Sequence, residues 1–228
     1  MESTFQPVAW SSDAVPWRYH RLSPRATSAD DRARLREAYA CWQRVWRETF
    51  RQLHQQDGPE LLFSDDFTRQ DEIGALFSGD ECIGLTAYRF IDLSEPTARD
   101  DSYFKVWPAE ALDEILARAR RVCVGSNLTV AEGWRGNLNG LRVSEVLLEL
   151  AVRRFQESDA DVMLGTMRNN RGMNRVSYRL GARPLRERVV HHGVEVDLVA
   201  WGRPRTHCIW CSGATTYLCQ GGPYESVA

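Results

Sequence analysis

The spacing of apolar side chains changes period several times along the 228 residues of this chain. Residues 1–15 are polar and aperiodic, and they read as an arm. Trp17 to Leu22 (WRYHRL) predicts a short strand. Ser28-Ala29-Asp30-Asp31 is a helix-start signal, after which Leu35, Tyr39, Trp42, Trp46, Phe50 and Leu53 recur at spacings of three and four. That pattern predicts a long amphipathic helix stopped by Gly58-Pro59, with aromatics that serve either core packing or a pocket wall. From Ile73 to Leu93 two β-rich runs meet at Ser78-Gly79-Asp80, a hairpin with a tight turn. Residues 94–108 carry two prolines and read as loop, and Ala109 to Arg121 as a short helix.

The second half alternates. Val122 to Val130 (VCVGSNLTV) is a continuous β-prone run, as a strand buried on both faces requires. A loop with several glycines (AEGWRGNLNG) leads into a helix from Leu141 to Gln156 with an apolar stripe of Leu141, Leu147, Leu148, Ala151 and Phe155. Asp161 to Met167 is a second buried strand and Arg171 to Leu180 a helix stopped by Gly181. Arg183 to His191 and Val194 to Trp201 are strands on either side of His192-Gly193. The resulting order, β-loop-α-β-α-β-β, is that of an α/β (α+β) domain with a mixed sheet.

Composition narrows the picture. Hydrophobic residues make up 43% and charged residues 26%, enough apolar side chain for a substantial core. We expect one domain over residues 16–204, with the arm before it and a cysteine-containing tail, 205–228, packed on it. The formal charge is -2 with both signs interspersed, so no basic field exists to attract nucleic acid. No run approaches the roughly 18 apolar residues of a membrane span. The N-terminal MESTFQPVAW lacks the basic and apolar regions of a signal peptide, so a cytoplasmic location is expected. Six cysteines are present, but they are not spread as a secreted disulfide framework, which fits reduced thiols.

The chemistry-bearing piece is the strand, glycine loop and helix spanning residues 127–156. A helix that begins directly after such a loop offers unpaired backbone N–H groups and the positive end of its dipole, a site for phosphate. In this context residues 127–182, about a quarter of the chain, resemble the core of the GNAT acyltransferase superfamily. In that family a strand leads into an (R/Q)xxGx(G/A) loop that grips the donor pyrophosphate. Here Arg135, Gly136, Asn137, Leu138, Asn139 and Gly140 occupy that loop, and Asn170 falls where the family's Asn opens the next helix.

Three departures from the family pattern stand out. Leu138 replaces the middle glycine, which limits how closely the backbone approaches phosphate. Ser177 takes the position of the family's tyrosine acid, and Tyr178, one residue on, is turned by about 100° on a helix. Gly181-Ala182 replaces glycine plus an aromatic. Imperfect loops also occur in the N-acyl amino acid synthases and acyl-homoserine-lactone synthases, GNAT-like relatives that take acyl groups from acyl carrier protein.

The resemblance implies a GNAT-like mixed sheet with an antiparallel N-terminal hairpin, splayed parallel central strands and flanking helices. It implies a donor thioester, acyl-CoA or an acyl carrier protein thioester, lying between strands 122–130 and 161–167. Backbone groups at Val130 and Ala131 would pair with pantetheine and hold the oxyanion. Glu132 is the first choice of base for a small-molecule amine or amino-acid acceptor, against its reading as a solvated acid beside a helix N-terminus. Tyr178 or Ser177 would return a proton to the thiolate. The expected activity is N-acyl transfer, and the alternative is a GNAT-like module that binds ligand without chemistry.

In the tail, Cys208-x-x-Cys211 with Cys219 and His207 invites a zinc or redox reading. Only one pair is tight, and adjacent His207 and Cys208 cannot readily face one ion, so no metal site is assigned there and a reduced, packed tail is expected. His20, His54, His191 and His192 show no ligand spacing.

Overall fold

The computed structural model describes residues 17–54, 62–136 and 141–203. The arm, the Gly58-Pro59 stop, the loop positions Asn137, Leu138, Asn139 and Gly140, and the cysteine tail lie outside the described residues. Strand β1 (Trp17–Leu22) leads to helix α1 (Ala29–His54) and a single turn, α2 (Asp65–Thr68). The hairpin β2 (Glu72–Ser78) and β3 (Glu81–Asp92) follows. Next come α3 (Pro96–Arg99), a 3-10 segment (Ser102–Val106) and α4 (Ala109–Leu116). Strand β4 (Arg121–Val130), a 3-10 turn (Glu132–Trp134), α5 (Val143–Glu157), β5 (Val162–Arg168) and α6 (Met173–Arg179) form the central unit. Strands β6 (Arg183–His191) and β7 (Val194–Gly202) close the described chain.

The expected elements are present, with one correction: residues 94–108 are not plain loop but hold α3 and a 3-10 segment. Both are too short for apolar periodicity to mark them. The start signal of α1 works as read, because Ser28 Oγ accepts from the Asp31 N–H at 3.0 Å and donates to Asp31 Oδ2 at 2.7 Å. Gly181 ends α6 at φ +86. Its N–H reaches the Tyr178 carbonyl and that of Ala182 the Ser177 carbonyl, each at 3.0 Å, a Schellman ending.

The seven strands order as β1-β2-β3-β4-β5-β7-β6. Every neighbouring pair is antiparallel except β4 and β5. On one face α1 and α4 cover Leu85, Ala87, Ile91, Val124, Leu164 and Leu198. On the other, α5 and α6 cover Tyr88, Cys123, Met163, Val199 and Trp201. Helix α5 sits close because Gly84 has no side chain. A Cβ there would stand 2.7 Å from the Thr129 carbonyl oxygen and 2.8 Å from Leu147 Cδ1.

Two irregularities shape the centre. Strands β4 and β5 pair only at Val122, Cys123 and Val124 against Val162, Met163 and Leu164. Beyond those three registers the two strands part. Strand β4 also bulges, since Leu85 pairs with Thr129 but Ala87 with Ser126, leaving Asn127 and Leu128 opposite Thr86. Asn127 takes φ +55, a left-handed conformation that Asn tolerates better than most residues. The bulge is fastened from α1, where Trp46 Nε1 donates to Thr129 Oγ1 at 3.0 Å while that hydroxyl donates to the Asn127 carbonyl at 2.7 Å.

Candidate active site

Where β4 and β5 part, a cavity of about 720 Å³ opens. Its walls come from α1 (Trp42, Trp46, Phe50), β3 (Thr86, Ile91), β4 (Val124 to Leu128), β5 (Leu164, Thr166, Met167), the first turns of α5, and the β6–β7 turn. A parallel pair that separates leaves unpaired strand edges facing each other, a slot into which an extended amide-bearing ligand fits. The slot opens toward the carboxyl ends of β4 and β5, the usual place for ligands in sheets of this kind.

The sequence-expected residues divide. Val130, Arg135 and Gly136 line the cavity. Gly136 stands at φ +128, a conformation reserved for glycine. Arg135 Nε donates to the Val130 carbonyl at 3.2 Å, folding its side chain over the end of β4. Ala131 is buried, but its N–H already donates to the Ile83 carbonyl at 3.0 Å, so that N–H is not free to hold an oxyanion. Glu132 is exposed on the 3-10 turn and is not among the lining residues.

The two hydroxyls expected to protonate a thiolate are also placed elsewhere. Ser177 is fully buried and donates to the Asn174 carbonyl at 2.7 Å. Tyr178 donates to Asp197 Oδ2 at 2.6 Å on the α6 face, and neither residue lines the cavity. Burial, followed by that hydrogen bond to a carboxylate, raises the Tyr178 phenol well above its ordinary range. The one-residue offset therefore turns Tyr178 away from the slot. Asn170 is exposed and does not cap α6, whose cap position is Gly172 at φ +68. Asn169 bonds Asp197 instead, at 3.0 Å.

Apart from Arg135, sequence reasoning did not mark the charged and titratable residues that line the cavity. Asp66, His191 and His192 are its described acid and histidines, and Tyr103 and Thr166 face it as hydroxyls 3.4 Å apart. Burial and the neighbouring His192 push His191 down to about 4, and burial raises the Tyr103 phenol. Of these, only the turn signal His192-Gly193 was visible in sequence, and it gave no hint of a pocket. The remaining lining charge is cationic. Arg135, Arg142, Arg168 and Arg171 gather at the carboxyl ends of β4 and β5. Arg168 Nε is buried without a hydrogen-bond partner among the described residues, and burial followed by Arg171 lowers its pKa.

No family model matches the chain, and no curated protein matches it. Solved structures do. A mosquito arylalkylamine N-acetyltransferase like 5b superposes with a TM-score of 0.59 at 9% identity, over 82% of this chain and 99% of that one. BjaI, a CoA-dependent acyl-homoserine lactone synthase solved with SAM and isopentyl-CoA, gives 0.54 at 12% identity, over 83% and 84%. FeeM, an N-acyl amino acid synthase from uncultured soil microbes, gives 0.51 at 13% identity, over 83% and 92%.

The fold is that of the GNAT acyltransferases. The bulge beside the slot is fastened by this chain's own Trp46, Thr129 and Asn127. Among the described residues, no group of three or more His, Cys, Asp or Glu is arranged to hold a metal. No described helix is long and apolar enough to cross a membrane.

Proposed function

We propose that this chain transfers an acyl group from a pantetheine thioester to an amine by direct attack. The observation that carries the reading is the parting of β4 and β5 after Val124 and Leu164, over a cavity of about 720 Å³. In this reading the arm lies along β4 beyond the bulge. The donor phosphates meet Gly136, Arg135 and the loop through Asn137, Leu138, Asn139 and Gly140, at the mouth of α5. Arg142, Arg168 and Arg171 add positive charge at the same end, and Arg168, whose buried Nε has no partner among the described residues, suits an anionic ligand.

The acyl group fills the apolar part of the cavity between Trp42, Phe50, Ile91, Leu164 and Val196. That wall is larger than an acetyl group needs, so a longer acyl chain is expected. Acyl-CoA is our first donor, and an acyl carrier protein thioester our second, favoured by Leu138 standing in the loop where glycine admits pyrophosphate. The acceptor is a small amine or amino acid. We take the cytoplasm as its compartment, in keeping with Cys41, Cys82 and Cys123, which are free and buried.

Thiol release is the direct test. The protein is mixed with acetyl-CoA, longer acyl-CoAs and acyl carrier protein thioesters against a panel of amines. Turnover should favour a longer acyl-CoA, and Arg135→Ala should raise the donor KM about tenfold without shifting the unfolding midpoint, the loss of one charge-assisted contact. Donor binding without turnover across the whole panel would instead point to a ligand-binding module.

A further inference from the structure

Resting on the acyl-transfer reading above, we propose that Asp66 receives the proton of the incoming amine, and that Gln70 holds that amine beside it. Asp66 is the one carboxylate among the described residues that line the cavity. It lies 61 positions before Asn127 of β4, yet it is fastened to the bulge. Asn127 Nδ2 donates to the Asp66 carbonyl at 3.2 Å, and Gln70 Nε2 donates to the same oxygen at 2.8 Å. The Asn127 bond holds the α2 turn against the point of β4 where the register breaks and the slot begins, and the Gln70 bond sets that side chain beside the same turn.

Gln70 supplies the second, independent observation. Because its Nε2 is committed to a carbonyl, the amide must present Oε1 on the other side. That oxygen is buried, the residue is 6% exposed, and it has no hydrogen-bond partner among the described residues. Gln70 also lines the cavity. A buried acceptor left without a donor costs on the order of 1–3 kcal/mol unless a ligand supplies one. An ammonium supplies N–H donors and no acceptor, and here it meets one carboxylate and one orphaned amide oxygen.

The surroundings set the base. Burial raises the Asp66 carboxyl above its ordinary range. Arg69, paired with it at 3.1 Å, and His192 from the β6–β7 turn oppose that shift, while neighbouring Asp65 adds to it. Arg89 on β3 lines the same cavity but is engaged by Asp101 at 2.5 Å. His191 and His192 stand at the β6–β7 turn, where His192 packs edge-on against Phe50.

The step balances as follows. One proton of the ammonium passes to the Asp66 carboxylate, and the freed lone pair forms the C–N bond at the thioester carbonyl. The C–S bond breaks, the thiolate takes a second nitrogen proton, and Asp66 returns its proton to solvent. Each amide is thus made with one thiol and one released proton.

The test is the pH dependence of kcat/KM for the amine, on the full chain with an acyl-CoA that the wild type turns over. Asp66→Asn should lower kcat/KM at least about 100-fold and flatten the acidic limb, with the donor KM unchanged. Gln70→Leu should raise the amine KM about tenfold and keep the limb. Unfolding midpoints near wild type exclude collapse, and Asp66→Glu should restore part of the rate with a shifted limb. An Asp66→Asn protein within threefold of wild type with its limb intact overturns the assignment and leaves acyl transfer standing. So does a limb that vanishes with His192→Gln instead. A wild-type chain that releases no thiol from any donor with any amine overturns both readings together.

Discussion

Two aspartates on opposite faces of the sheet show how the same side chain is put to different ends. Asp197, on β7 beneath α6, is 2% exposed and accepts four hydrogen bonds, two at each oxygen. Asn169 and the Arg188 N–H meet Oδ1, while Asn174 and Tyr178 meet Oδ2. Burial acts to raise its pKa, but these donors outweigh it and hold the carboxyl below its ordinary value. Asp66 is half-buried at the cavity, meets Arg69 at 3.1 Å, and is shifted upward by burial. A carboxylate whose lone pairs are all engaged is a fastening. One left short of donors beside a cavity is available for chemistry.

The comparison breaks most visibly at Asp197. Replacing it by Ala strands the Tyr178 hydroxyl, two side-chain amides and the N–H of Arg188, itself at φ +54. The expected loss of stability is about 3 kcal/mol, read from a urea midpoint at pH 7. The sign with pH follows from the depressed folded value. The carboxylate's stabilisation is present above its ordinary 3.8 and is lost as pH falls through the folded value. The gap between wild type and Asp197→Ala should therefore narrow below about pH 4. A gap that is small at pH 7, or unchanged on acidification, would mean the four donors contribute little.

Tyr178→Phe is the next step down and separates the two ends of the molecule. It removes one donor to a charged acceptor, at a cost of about 1.5 kcal/mol in the same urea measurement. Thiol release by the variant should stay within twofold of wild type, because the hydroxyl points to Asp197 rather than the slot. A large fall in kcat with little loss of stability would restore the tyrosine to the reaction.

Much of this arrangement was legible in the sequence, for reasons that differ from residue to residue. Periodicity gave α1, α5 and the hairpin because each buries one continuous stripe or face. The hundred-degree turn at Tyr178 was readable from helix geometry alone, and the hydrogen bond to Asp197 shows where it leads. The bulge was hidden, since it depends on one left-handed Asn and on a bond from Trp46, 83 positions away from Thr129. Glu132 was favoured for its nearness in sequence to the glycine loop, yet its turn carries it out to solvent. Asp66 belongs to a four-residue helix with no period of its own, and it is brought to the slot by distant partners, Asn127 61 positions on and the α1 aromatics that hold Phe67. Linear spacing does not record contacts of that range.

The smallest effect sharpens the comparison from the other side. For Asp66 the sign is reversed: a carboxyl whose folded value is raised opposes folding once it is ionised, and that opposition disappears as pH falls through the raised value. Asp66→Asn therefore removes an unfavourable charge at pH 7 together with its pair to Arg69, two contributions of opposite sign. The side chain is 37% exposed, so solvent screens both. The urea midpoint at pH 7 should correspond to wild-type stability within about 0.5 kcal/mol, with any difference in favour of Asn, and the two proteins should converge on acidification. A loss comparable to that of Asp197→Ala would show Asp66 to be a fastening too, and would remove the physical distinction on which its proton-accepting role depends.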